Sequence, residues 1–200
     1  MRIALFGGTF DPPHRGHDAV ARAAADAFRL DRVLFAPVGR QPLKPDARSA
    51  PYPDRLSMVM LACRQDRRFA PSALDAPKPD VRPNYTVDTL TMLRTLYPEA
   101  LLFHLVGADS FLSLPRWREP RRLLELAEWI VVSRPGFSLD SPEAPVLTPI
   151  ERSRVHLLET VHEDVSATEL RRRLAHGEQV DGLILPEVLD YIRAHRLYII

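Results

Sequence analysis

The sequence predicts an α/β fold, a Rossmann-like three-layer sandwich with a mainly parallel sheet and helices on both faces. Three observations predict it. Short apolar runs recur along the chain and read as buried strands. Segments with apolar residues at helical spacing lie between them, the β-α-β order of a parallel sheet. Gly7 and Gly8 follow the first run directly, and ligands of such sheets bind at the carboxyl ends of the strands.

Taken in order, RIALF (2–6) is the first strand. A helix runs from Gly16 to about Leu30, with Val20, Ala21, Ala24 and Phe28 on one stripe. RVLFAP (32–37) is the second strand. The stretch 37–53, PVGRQPLKPDARSAPYP, is a loop of the length that marks a functional or disordered segment. A helix follows at about 53–66, with Leu56, Val59, Met60 and Cys63 inward, so Cys63 reads as core and not as a nucleophile. FAPSAL (69–74) predicts a short strand, and a proline-rich excursion runs to Pro83. The next helix spans Thr86 to Tyr97, with Val87, Leu90, Leu93 and Tyr97 inward and Pro98 ending it. LLFHLVG (101–107) and EWIVVSR (128–134) are strands, separated by a short helix, a PRW turn and the helix PRRLLELA. A proline-rich loop covers about 135–149, VHLLE (155–159) is another strand, and helices at about 167–176 and 186–195 follow. No internal repeat is evident. The expectation is one domain over 1–200, with a C-terminal helical part from about 160 packed on it.

Composition narrows the function classes. Lys and Arg number 27 against 26 Asp and Glu, so no broad field favours nucleic acid or a membrane surface. An anionic partner must meet a local cluster. The single cysteine forms no intrachain disulfide and fits a reducing compartment. No targeting segment or membrane-spanning run is visible, so the expected setting is cytoplasmic. The 19 prolines gather in a few loops and do not signal disorder.

The opening stretch GGTFDPPHRGH carries the first chemistry. Gly7 and Gly8 lack Cβ atoms, so their backbone N–H groups can approach a ligand closely. His17 falls in the first turn of a helix, where free N–H groups and the dipole favour an anion. His14 precedes it by three residues and can converge on the same anion; imidazole donates hydrogen bonds to phosphate oxygens and changes charge near neutral pH. Metal ligation by the two histidines lacks a Cys or carboxylate at supporting spacing. A dinucleotide fingerprint needs G-x-G-x-x-G, whereas the sequence reads GGTFDP, which removes an NAD(P)-dependent oxidoreductase. The second element is VSATELRRRL (165–174). Ser166 and Glu169 match a capping box, which makes Ser166 a plain cap and Arg171 to Arg173 a solvated face. The same helix N-terminus, with hydroxyls at Ser166 and Thr168 and Arg171 nearby, can hold a triphosphate.

GGTFDPPHRGH strongly resembles the HxGH signature of the nucleotidyltransferase superfamily, on His14, Gly16 and His17. VSATELR resembles that group's ISSTxxR motif, with Val165 for Ile and Ala167 for the second Ser. NYTVDTL (84–90), VGADSFLSLPRW (106–117), VVSRPG (131–136) and the ending LPEVLDYIRAHRLY resemble segments of the bacterial nicotinate-nucleotide adenylyltransferases. The resemblance covers nearly the whole chain. It implies transfer of AMP from ATP to nicotinate mononucleotide, giving deamido-NAD and pyrophosphate. His14, His17 and Arg171 are then the catalytic set. Gly7, Gly8, Thr9, Phe10, Gly107, Asp109, Arg134, Ser166 and Thr168 face ATP. Lys44, Tyr85, Thr86, Asp109 and Trp117 face the mononucleotide. In that family a histidine commonly precedes the lysine of the 37–53 loop; Leu43 stands there instead.

Physical chemistry is consistent with those roles. The indole of Trp117, after Pro115, can stack on a pyridine ring, or it can be core; Trp129, on a strand, is core. Asp109 can meet ribose hydroxyls or a metal, or cap a helix. The backbone at Tyr85 and Thr86 can receive a carboxylate. The acceptor phosphate is itself the nucleophile, so catalysis is positioning and charge stabilisation. Magnesium (Mg2+) would travel with the substrate phosphates and water, with no dedicated carboxylate cage. The partners are these small molecules, with no nucleic acid and no membrane, and homo-oligomerisation is compatible with the sequence. Phosphopantetheine adenylyltransferase and a catalytically silent nucleotide sensor on the same fold are the alternatives.

Overall fold

The computed structural model describes residues 1–43, 49–133, 137–159 and 165–199. Six strands form one sheet: β1 (Arg2–Gly8), β2 (Arg32–Pro37), β3 (Phe69–Pro71), β4 (Leu101–Gly107), β5 (Glu128–Ser133) and β6 (Val155–Glu159). All neighbours are parallel and the order is β3-β2-β1-β4-β5-β6. The order reverses between β1 and β4, so the crevice beyond their carboxyl ends is the ligand position. The eight helices among the described residues are α1 (Arg15–Ala27), α2 (Tyr52–Ala62), α3 (Thr86–Leu96), α4 (Ala108–Leu112), α5 (Pro120–Leu126), α6 (Pro149–Ser153), α7 (Ala167–Ala175) and α8 (Pro186–Ala194).

Two apolar clusters sandwich the sheet. Ile3, Leu5, Leu102 and Val106 turn to one face, with Val87, Leu90 and Leu93 of α3 and Leu123 of α5. Ala4, Phe6, Phe103 and Leu105 turn to the other, with Ala21, Ala24 and Ala25 of α1. Alternation along β1 and β4 thus builds both layers, because successive strand side chains point to opposite faces. A third cluster joins Met58 of α2 to Leu170 of α7 and to Val188, Leu189 and Ile192 of α8.

Several expectations shift. The helix expected to reach Leu30 stops at Ala27. Arg29 adopts a left-handed φ of 48°; its N–H donates to Asp26 O and that of Leu30 to Ala25 O, a Schellman cap without glycine. The 53–66 helix is α2 followed by a 3-10 turn at Cys63–Gln65. Cys63 is buried, which pushes its thiol up to about 12, but Met60 is exposed rather than inward. The 69–74 strand is only Phe69–Pro71. The 135–149 loop conceals the start of α6, whose cap is a complete box: Thr148 Oγ1 accepts from Glu151 N–H and Glu151 accepts from Thr148 N–H. Trp129 is fully buried, as expected. No helix among the described residues is long and apolar enough to cross a membrane.

Candidate active site

His14 is the N-cap of α1 and His17 lies one turn on. The His14 backbone N–H donates to His17 Nδ1 (3.2 Å). A neutral His17 therefore carries its hydrogen on Nε2. The two rings lie 3.8 Å apart between centroids, and the His17 ring also packs on Phe10 at 4.9 Å. Gly16 makes this possible: a Cβ there would press on His14 Cε1 and Nδ1 at 3.1 Å. Burial lowers the His14 imidazole to about 4 and pushes His17 well below 6.5, with His14 adding to the latter. Both are thus neutral at pH 7. Their change of charge therefore lies below neutral pH, not near it as the sequence suggested. The helix mouth also offers fewer amides than its sequence suggests, because Arg15 N–H donates to Leu183 O (3.0 Å).

Arg171 reaches across 160 residues to this motif. Its Nη1 donates to the Asp11 backbone O (2.8 Å) and its Nη2 to Thr168 Oγ1 (3.3 Å). Ser166 caps α7 by accepting Glu169 N–H (3.1 Å). The capping box is only half formed, since the Glu169 carboxylate takes Arg172 and Arg173 instead. Those two arginines keep the surface role expected of them.

Asp11 is the hub that the sequence did not reveal. It is buried, and its Oδ1 accepts from Tyr198 O–H (2.6 Å) and Ala50 N–H (3.1 Å). Arg55, also buried, donates to Thr9 O (2.8 Å) and Ala50 O (3.0 Å). The turn from Thr9 to Asp11 is therefore tied to α2, α7 and the C-terminal segment. Phe10 takes a left-handed φ of 49° there, with its ring buried against the motif.

Beside this motif lies a cavity of about 200 Å³ at the carboxyl ends of β1 and β4. Gly7, Gly8 and Gly107 line it with Tyr85, Thr86 and Trp117. A Cβ at Gly7 or Gly107 would meet nothing within 4 Å. Tyr85 is the N-cap of α3 and makes no side-chain cap; its ring lies 4.8 Å beneath the Arg118 guanidinium. Trp117 lies between core and cavity. It is half-buried, packs against the core and donates Nε1–H to Ser113 Oγ (2.8 Å), yet it also lines the cavity. Asp109 is exposed in the first turn of α4; the cap is Gly107, so the N-cap alternative for Asp109 is wrong. Lys44 and Arg134 lie outside the described residues.

The cavity wall also holds residues that motif reading missed. Asp75 accepts from Thr89 Oγ1–H (2.9 Å), and burial raises its carboxyl above the usual range. Asn84 is buried and ties the loop after β2 to the proline-rich excursion. His104 stands between Leu102 and Val106 on one face of β4, a polar residue inside an apolar strand. That interruption was the signal available in LLFHLVG. Among the described residues, no three His, Cys, Asp or Glu side chains form a group able to hold a metal.

This geometry meets matching relatives. A family model described as cytidylyltransferase-like matches residues 5–173. A protein of Roseiflexus sp. (strain RS-1), named "Probable nicotinate-nucleotide adenylyltransferase", is 43% identical over 98% of this chain and 97% of its own. The chain belongs to the nicotinate-nucleotide adenylyltransferase family. A member of that family from Thermus thermophilus is 41% identical over 99% of this chain and 100% of its own. The solved Plasmodium falciparum nicotinic acid mononucleotide adenylyltransferase complexed with NaAD shares the fold, with a TM-score of 0.75 at 17% identity over 98% of this chain and 97% of its own.

Proposed function

We propose that the chain transfers AMP from ATP to nicotinate mononucleotide, releasing pyrophosphate and nicotinate adenine dinucleotide. One observation carries this reading. Arg171, in the middle of α7, reaches the turn that presents His14 and His17, beside a cavity lined by Trp117 and the start of α3. Anion-directed donors thus adjoin a slot for a flat ring. The acceptor phosphate oxygen attacks the α-phosphorus of ATP in line, a new P–O bond forms, and the bond to pyrophosphate breaks. His17 Nε2–H, His14 and the Arg171 guanidinium stabilise charge on the α-phosphate and leaving group. Holding both substrates in line supplies the remaining acceleration. A divalent ion such as Mg2+ would enter on the triphosphate and neutralise part of its charge.

The test supplies ATP with nicotinate mononucleotide, nicotinamide mononucleotide or phosphopantetheine in parallel. Pyrophosphate and the nicotinate dinucleotide are expected to form fastest with the first. Release with phosphopantetheine alone, or with no acceptor tried, would overturn the assignment and return the chain to the alternative acceptor or to a silent sensor.

A further inference from the structure

His104 is 3% exposed, and neither ring nitrogen has a hydrogen-bond partner of good geometry among the described residues, only a weak one in the Leu5 backbone. Its ring meets Trp129 edge to face at 4.8 Å and 89°, and Trp117 at 5.9 Å and 67°. Burial lowers the imidazole to about 4, with the weak hydrogen bond to the Leu5 backbone opposing it, so it is neutral at pH 7 with one donor and one acceptor nitrogen. An apolar residue in this row of β4 would avoid the cost of two unsatisfied polar atoms. The ring also lines the cavity with Trp117, Tyr85 and Thr86.

The acceptor phosphate must lie at the glycine end of the cavity, towards the paired histidines, to reach the α-phosphorus. Its flat ring then lies at the tryptophan end, next to His104. We propose that His104 is a further specificity-determining residue for the mononucleotide, its ring N–H donating a hydrogen bond to the carboxylate on the pyridine ring beside the backbone at Tyr85 and Thr86. This rests on the adenylyltransferase reading above. The contact with Trp129 holds the imidazole in one orientation, so little freedom is lost on binding. A charged carboxylate forms a stronger bond with the donor than a neutral carboxamide does, so the residue favours nicotinate over nicotinamide.

The test uses His104→Leu and His104→Gln in the full chain, beside the wild type. With His104→Leu, KM for nicotinate mononucleotide is expected to rise about 10- to 100-fold. KM for ATP and kcat should stay within about threefold, and the preference for nicotinate over nicotinamide mononucleotide should fall. The ligand-free Tm should hold or rise, because the unsatisfied nitrogens are gone. His104→Gln, which keeps an N–H donor, should recover part of the loss. An unchanged mononucleotide KM, or equal losses for both substrates, would overturn the proposal and leave His104 with a buried water or a packing role. Nitrogen-15 signals of the wild-type His104 ring give a readout independent of the variants. They should move on adding nicotinate mononucleotide and stay fixed with ATP alone; the reverse would overturn it. Wild-type protein that releases no pyrophosphate with nicotinate mononucleotide would instead sink the parent reading.

Discussion

His17 is held by an amide N–H on one ring nitrogen and by the rings of Phe6, Phe10 and His14. Its remaining nitrogen is a fixed donor, so removing the ring should cost transition-state stabilisation rather than fold. His17→Ala should slow kcat by about 10²- to 10³-fold, the loss of one preorganised donor to a developing charge; far-UV circular dichroism should stay unchanged. A near-normal kcat would remove His17 from the reacting centre. Trp117→Ala should raise KM for nicotinate mononucleotide more than for ATP, because the indole lines only the cavity end assigned to the ring. Equal rises for both substrates would mark a packing loss. His14 and His17 were legible because one helical turn brings them together. His104 was equally visible as a letter, but its burial and lack of partners depend on β5 and on the 108–117 segment closing over it.

Helix ends and loops show the same division among elements. The start of α7 was readable from Ser166 and Glu169, since a cap acts through its next three residues. The end of α1 was not, because a cap with Arg29 in the left-handed region carries no glycine signal. Gly39 is another silent constraint. A Cβ there would clash with the Pro77 backbone, so the loop after β2 and the excursion after β3 touch through this glycine. Gly39→Ala should cost about 1–3 kcal/mol by overpacking, measured by urea unfolding. It should also raise KM for the mononucleotide, since Val38 and Asp75 on either side line the cavity. A change below about 0.5 kcal/mol would show that the two loops separate freely.

At the scale of the whole molecule, the C-terminal segment secures the N-terminal motif. Tyr198→Phe removes the O–H that donates to Asp11 and should destabilise the chain by about 1–3 kcal/mol, the cost of a weakened buried carboxylate. A urea midpoint equal to wild type would exclude that tie. Stability should also depend on pH through the histidines. His14 and His104 lie at about 4 when folded against 6.5 ordinarily. Between these values the unfolded chain binds more protons, so their contribution is full above about pH 6.5 and is lost as pH falls towards 4. The urea midpoint should therefore drop across that window, and a flat profile would show that neither imidazole resists protonation. Asp66, held at about 2 by Arg68, has a folded value below its ordinary 3.8. It adds stability above that value and loses it only at lower pH.

The amino-acid sequence by itself determined the parallel α/β order, the glycine turn, the paired histidines and the serine cap of the later motif. Each of these depends on residues within a few positions of one another, where spacing alone sets geometry. Only the tertiary structure decided that Asp11 gathers Arg171 and Tyr198, that Arg55 supports the same turn, and that His104 faces a cavity. Those contacts join segments up to 187 residues apart, and chain closure over such distances leaves no periodicity to read.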